Sequence, residues 1–374
     1  MTAPCGFREV CVAIKESAFT ENDLPIIVSL EVHANTEQQV VMAKIMREVW
    51  QDMLVDDIIE NCDPKFRVPR LEQMKNKILV KVKRAPAMMV ASNTINVPPI
   101  YAADDDGSDS EDEKPPPGPK KAASEPLDVS RPKADNNKKV PICRTLAELA
   151  VYTRSERFKG FDTPEAKKPP HIFSISENRI LDLNVKHHTD MFKHNKNYFM
   201  RAFPAGRRID SSNPDPSLFW RKGVQMVAMN WQYTDEGMML NEGMFADECG
   251  WVLKPPGYLT SDRNTETQAQ ATPGSMLDLS ITIFVGQHIL GGNNDDDDAK
   301  SNVSANDIRP LVKVELHVEK TDSSNSKKDP QLQGSSYKKK TETSKSDHPT
   351  FGPRGSQVSF LSIPKVVPEL SYVR

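Results

Sequence analysis

The sequence has no closely spaced cysteines, no long apolar run and almost no net charge, and each absence excludes something. Its five cysteines (Cys5, Cys11, Cys62, Cys143 and Cys249) are odd in number, scattered, and never in a Cys-x-x-Cys pair. That pattern fits buried thiols in a reducing compartment and excludes a zinc ribbon. No apolar stretch approaches the ~18 residues of a membrane span, and the opening Met1-Thr-Ala-Pro-Cys-Gly6 lacks the basic and apolar regions of a signal peptide. A cytoplasmic or peripherally membrane-associated protein is expected. With a net charge of -3 the chain has no global pull toward nucleic acid, so anion binding must come from local basic clusters.

What is present is ordinary globular material: 374 residues, 37% hydrophobic and 27% charged, enough for two or three domains with a sizeable core. The stretch Leu24-Pro-Ile-Ile-Val-Ser-Leu-Glu-Val-His33 organises it. This nearly continuous run of β-formers reads as a strand of a parallel sheet buried on both faces, delivering Glu31 near its end. An acid there either serves chemistry, as at the carboxyl ends of strands in α/β folds, or caps the following helix. His33 shares its face and reads as a hydrogen-bonded structural histidine.

Around this strand lie two amphipathic helices. Phe7, Val10, Cys11, Ile14 and Ala18 mark one over residues 7 to 19; Met42, Ile45, Met46, Val49 and Met53 mark another, opened by a capping box at Thr36-Glu-Gln-Gln39. In Lys77-Ile-Leu-Val-Lys-Val-Lys83, Ile78, Val80 and Val82 point one way and Leu79, Lys81 and Lys83 the other. The two lysines meet solvent on an edge strand or project into an anion site.

From Ala102 the composition turns to Asp104-Asp-Asp-Gly-Ser-Asp-Ser-Glu-Asp-Glu113 and a proline-lysine run, a disordered spacer in which Ser108 and Ser110 are phosphorylation candidates. Strands are then expected at Leu149 to Thr153, His171 to Ser176, Tyr198 to Phe203 and Val224 to Trp231, with a helix from Glu177 to Leu183 capped by Ser176. Six parallel strands in all fall short of the eight of a closed barrel. The alternation of Leu277 to Val285 and of Val312 to Val318 belongs instead to antiparallel strands with one wet face, hence a β-sandwich. Gln357 to Ser362 and Leu370 to Arg374 supply its remaining strands; residues 291 to 298 and 321 to 355 read as loops.

Six blocks now carry a resemblance: Leu24 to His33, Lys77 to Lys83, Phe173-Ser-Ile-Ser-Glu-Asn178, Arg201-Ala-Phe-Pro-Ala-Gly206, Asp210-Ser-Ser-Asn213 and Gly250-Trp-Val-Leu-Lys-Pro255. In order and spacing the chain resembles eukaryotic phosphoinositide-specific phospholipase C. The resemblance implies an incomplete TIM-like (β/α) barrel plus a partial C2-like antiparallel β-sandwich. Residues 1–100 would be the C-terminal part of the X region, 101–142 the linker, 143–260 the Y region and 261–374 the C2-like part. It also implies a reaction, Ca2+-dependent hydrolysis of phosphatidylinositol 4,5-bisphosphate to diacylglycerol and inositol trisphosphate at an anionic membrane surface.

The implied site residues are Lys81, Lys83, Ser174, Arg201 and Phe203 around the inositol phosphates, and Glu31 as the catalytic carboxylate that binds Ca2+ and helps deprotonate the inositol 2-hydroxyl. Chemically the set is coherent: a polyanionic ring needs point charges, a guanidinium fork, a hydroxyl and a flat apolar face. Phe203 stands where the family has tyrosine, keeping the stacking face and losing the phenol. The family's two catalytic histidines and its other metal ligands precede the Glu31 strand, yet the first histidine here is His33. A chain shortened at its start and impaired in turnover is therefore expected, since acid/base groups are worth ~100-fold or more each. The alternative is a non-catalytic phosphoinositide-binding regulatory protein. In the C2-like part Asp295 to Asp298 forms an acidic loop, while Arg309 replaces a family aspartate.

Overall fold

The computed structural model describes residues 4–84, 140–272, 274, 276–289, 308–319, 334–364 and 366–374. The spacer with Ser108 and Ser110, and the acidic run at 295 to 298, lie outside the described residues. Strands β1 (Ile26–Ser29), β2 (Ile78–Lys83), β3 (Arg154–Glu156), β4 (His171–Ser176), β5 (Phe199–Phe203) and β6 (Met226–Val227) pair in sequence order, all parallel. The sheet curls: residues of its two edge strands, Ile27 and Ser29 on one side and Met226 and Val227 on the other, line one cleft. This is the incomplete barrel expected from the strand count.

Helices α1 (Phe7–Ser17) and α2 (Thr36–Trp50) cover the outside of the first strands. Cys11, Ala43, Met46, Val49 and Trp50 pack on Ile78, Val80 and Val82, and burying each large side chain is worth ~1.5–3 kcal/mol. The Trp50 indole also donates to Cys11 O at 2.9 Å. The capping box lies one residue earlier than expected. Asn35 accepts from Gln38 N while the Gln38 side chain accepts from Asn35 N. Gln39 is thereby released to turn inward, where it donates to Ala34 O and Pro141 O and accepts from Cys143 N. The chain thus already packs on α2 at Pro141, inside the stretch read as spacer.

After a turn of helix, α3 (Arg144–Ala147), the third strand starts at Arg154 rather than Leu149. Tyr152, read as part of that strand, instead plugs the barrel floor: its hydroxyl accepts from Ile59 N and donates to Cys62 O. α4 (Glu177–Asn197) is three times the expected length, with non-helical backbone at His187, and Ser176 gives it no side-chain cap. The expected strand from Val224 to Trp231 shrinks to two residues, because the chain beyond Val227 is held by side chains of a neighbouring loop, described below. Short α5 (Ser217–Trp220) and longer α6 (Glu236–Phe245) follow β5 and β6, and α7 (Gln268–Ala271) precedes the sandwich.

In the sandwich, β7 (Met276–Ile283) pairs antiparallel with β10 (Ser356–Pro364). Opposite them β8 (Lys313–Glu319) lies between β9 (Gly334–Lys340) and β11 (Tyr372–Val373). Val314, Leu316, Val318, Val358, Phe360 and Ile363 meet in its core. β9 falls in a stretch read as loop: Gly-Ser-Ser-Tyr-Lys-Lys-Lys has little strand propensity of its own, and pairing with β8 overrides that preference. Trp220 and Tyr258 pack with Val367 and Leu370 to join sandwich and barrel.

Candidate functional site

The site follows from alternation along β2. Ile78, Val80 and Val82 are taken up by the helix-facing core, so Leu79, Lys81 and Lys83 face the barrel interior. Leu79 packs in the floor with Val55, Cys62, Met74 and Tyr152. Lys81, one step higher, is 5% exposed, with Nζ 3.5 Å from Ser29 Oγ and 3.4 Å from Ser155 Oγ. Both contacts are long and both partners neutral.

On β5, Met200 and Ala202 pack outward and Arg201 inward. Together with Ser29, Lys81 and the β6 edge, Arg201 lines a cleft of ≈ 280 Å³ whose remaining wall is Ile27, Ala228, Met229 and Trp231. No residue lining it is a carboxylate. Burial, then the charges of Arg201 and Lys83, push the Lys81 amine down to about 8, and burial also lowers the Arg201 guanidinium. Two cations thus share one cleft that no carboxylate lines.

The other expected residues stand around it. Ser174 lies opposite Arg201 on the adjacent strand, its Oγ buried with no hydrogen-bond partner. Phe203 places its ring centroid 5.9 Å from Arg201 Cζ, a cation–π distance. Lys83 is exposed and close enough to act electrostatically on Lys81.

Glu31 differs from the expectation. β1 ends at Ser29, Glu31 does not line the cleft, and its side chain is 89% exposed, 3.3 Å from His33 Nε2. His33, read as a hydrogen-bonded structural histidine, is a surface residue whose only ion-pair contact is with this carboxylate among the described residues. Ca2+ takes six to eight oxygens, and among the described residues a cluster of three potential ligands occurs elsewhere, at Glu236, Glu315 and His317. The surroundings of Glu31 do not fit the ion by themselves. The other cluster is an ion-pair network, because Lys313, Lys338 and Arg374 already neutralise Glu315 at 2.5, 3.0 and 3.4 Å.

Sequence reasoning missed Ser29, Ser155, Met229 and Trp231. Ser29 was detectable: it is a polar residue in an apolar strand, two positions before Glu31 and so on the same face. Met229 and Trp231 were hidden by the assumption that β6 continues through them.

The likeness to known proteins agrees with this geometry. The profile "Phosphatidylinositol-specific phospholipase C, X domain" matches residues 1–84, and the corresponding Y domain matches 146–257. The chain is 33% identical over 335 residues to 1-phosphatidylinositol 4,5-bisphosphate phosphodiesterase 1 of Candida albicans, covering 84% of this chain and 30% of that protein. It is 29% identical to phosphodiesterase delta-3-A of Danio rerio, covering all of this chain and 43% of the relative. The chain thus spans less than half the length of these relatives. The crystal structures of S. officinalis and L. pealei PLC21 share its fold, with TM-scores of 0.66 and 0.67 at 23% and 22% identity, covering 98% and 99% of this chain and 41% of each of theirs. With both profiles matched in order and the curled parallel sheet carrying a cationic cleft, the chain belongs to the eukaryotic phosphoinositide-specific phospholipase C family.

Proposed function

We propose that the Lys81–Arg201 cleft takes the phosphorylated inositol ring of a phosphoinositide. This is the recognition half of the family reaction, the Ca2+-dependent hydrolysis of phosphatidylinositol 4,5-bisphosphate to diacylglycerol and inositol trisphosphate. One observation carries the reading: two buried or half-buried cations share a cleft that no carboxylate lines. Lys81, Lys83 and Arg201 would hold ring phosphates, Arg201 bidentately. The unpartnered Ser174 Oγ would donate to one of them, and Phe203 would offer its face to the ring. Glu31 supplies a single carboxylate, too little to hold Ca2+ alone.

The same lining favours binding over turnover. The cleft holds no imidazole or carboxylate to move a proton, so the chain by itself is expected to bind the headgroup while hydrolysing the lipid slowly or not at all. No helix among the described residues is long and apolar enough to cross a membrane. Contact with a bilayer would instead be peripheral, through Trp231 and Ile209, which are 71% and 94% exposed on the loops that follow β6 and β5.

Titration calorimetry with inositol 1,4,5-trisphosphate tests the proposal. Saturable binding, weakened at least about tenfold by Lys81→Met or Arg201→Met, is expected; no saturable binding by the unmutated chain overturns it. A parallel assay on phosphatidylinositol 4,5-bisphosphate micelles with Ca2+ separates the two roles: turnover would make the chain a working enzyme, binding without turnover a non-catalytic phosphoinositide-binding protein.

A further inference from the structure

Asn213 does not line the cleft, yet its side chain governs the segment that does. It is 8% exposed. Its amide Nδ2 donates to Asn230 O, Tyr233 O and Asp235 Oδ1 at 3.2, 3.0 and 3.1 Å, and its Oδ1 accepts from Asn230 N at 2.6 Å. Its backbone N–H donates to Asp235 Oδ2 at 2.6 Å, and Asn230 answers with Nδ2 to Ser212 O at 3.1 Å. Asp235 is at once the cap of α6, accepting from Met238 N. The first turn of α6 also approaches this loop closely: a Cβ on Gly237 would sit 2.5 Å from Pro214 O. Behind Asn213, Arg208 grips Asn213 O and Ser212 Oγ and is itself held by Glu177 at the start of α4.

We propose that Asn213 is a positioning residue: it staples the 228–235 loop to the loop following β5, so that Met229 and Trp231 stand as the apolar wall of the cleft containing Lys81 and Arg201. Only an amide suits the place. Aspartate would lose both donors and face Asp235 with like charge, and alanine would leave Tyr233 O and the Asn230 N–H without their partner, while Asn230 O and Asp235 Oδ1 would keep only Tyr233 N and Met238 N, respectively. The ligand named in the test rests on the functional reading above; the staple itself does not.

Hydrogen exchange read by mass spectrometry on Asn213→Ala tests the staple without a ligand. Exchange across 228–235 should rise about tenfold or more while that of 78–83 stays unchanged; unchanged exchange across 228–235 overturns the proposal. Calorimetry with inositol 1,4,5-trisphosphate should show about tenfold weaker binding in Asn213→Ala and no further loss when the same change is made in Trp231→Ala. An equal loss in both backgrounds overturns the claim that Asn213 acts through the wall. If the unmutated chain does not bind this probe, the headgroup reading falls and the exchange result still decides the staple. Should Asn213→Ala loosen 78–83 as well, Asn230→Ala, which removes only the bond to Ser212 O, takes its place with the same expected localisation and the same overturning result.

Discussion

Lys81 on β2 and Arg201 on β5 line one cleft although two strands separate them in the sheet. Only a curled sheet brings them together, and burial and their mutual repulsion both disfavour the charged amine. A fold selected for stability alone would fill that place with an apolar side chain. Under the proposed function, an anion bound in the cleft would offset that cost.

Lys81→Met should therefore stabilise the ligand-free chain while weakening the proposed anion binding about tenfold or more. Removing a buried, unneutralised amine for an apolar side chain of similar length should add about 1–3 kcal/mol to the unfolding free energy. Urea unfolding at neutral pH checks it. A variant less stable than the parent would mean that Ser29 and Ser155 satisfy the amine better than their distances suggest.

The same amine sets a pH dependence. Its folded-state pKa, about 8, lies below that of the unfolded chain, so the destabilisation is complete below about 8 and is relieved as pH rises toward the unfolded value. A bound phosphate favours the charged form, so binding above pH 8 must take up a proton and weaken with rising pH. The ligand's own phosphates lose their second proton near pH ~6 and do not contribute there. Calorimetry in buffers of different ionisation enthalpy should show proton uptake at pH 9 and none at pH 7. Affinity constant from pH 7 to 9.5 would exclude Lys81 from the contact.

The residues explain which parts of this were legible beforehand. Alternation along Lys77 to Lys83 gave the strand and put both lysines on one face, because a period of two survives whatever packs around it, but left open whether that face meets solvent or a site. Glu31 was misplaced because an apolar run does not show where pairing stops: β1 ends at Ser29, and Glu31 lies two residues beyond it. The Met229 and Trp231 wall was invisible for the opposite reason. Val224 to Trp231 looks like one strand, and the hydrogen bonds from Asn213 that divert it come from a segment seventeen residues away. β9 escaped notice because its Ser and Lys residues become a strand only through their partner β8.

Glu177 anchors the loop behind Asn213, accepting from Ala205 N at 2.8 Å and from both ends of the Arg208 fork at 2.6 and 2.7 Å. Because the carboxylate is buried, Glu177→Ala leaves a largely buried guanidinium unpaired and should cost about 3–5 kcal/mol. Replacing both residues by apolar ones should cost less than the single change. A double-mutant cycle by urea unfolding measures the difference, and additive losses would show that the pair is not coupled.

Glu315 should make the sandwich acid-labile. Burial raises its pKa, but hydrogen bonds and charge from Lys313 and Lys338, with Arg374, outweigh it and bring the carboxyl to about 2. A carboxyl depressed in the folded state contributes stability above its unfolded pKa, near 4.5, and loses it as pH falls toward 2. Glu315→Gln should accordingly be about 1–3 kcal/mol less stable than the parent at pH 7, with the gap closing between pH 4.5 and 2. Because Arg374 also reaches Glu236 of α6 at 2.8 Å, the loss should reach the joint between sandwich and barrel, seen as faster hydrogen exchange at the start of α6. A stability gap that stays constant down to pH 2 would mean that the three cations do not hold the carboxylate ionised.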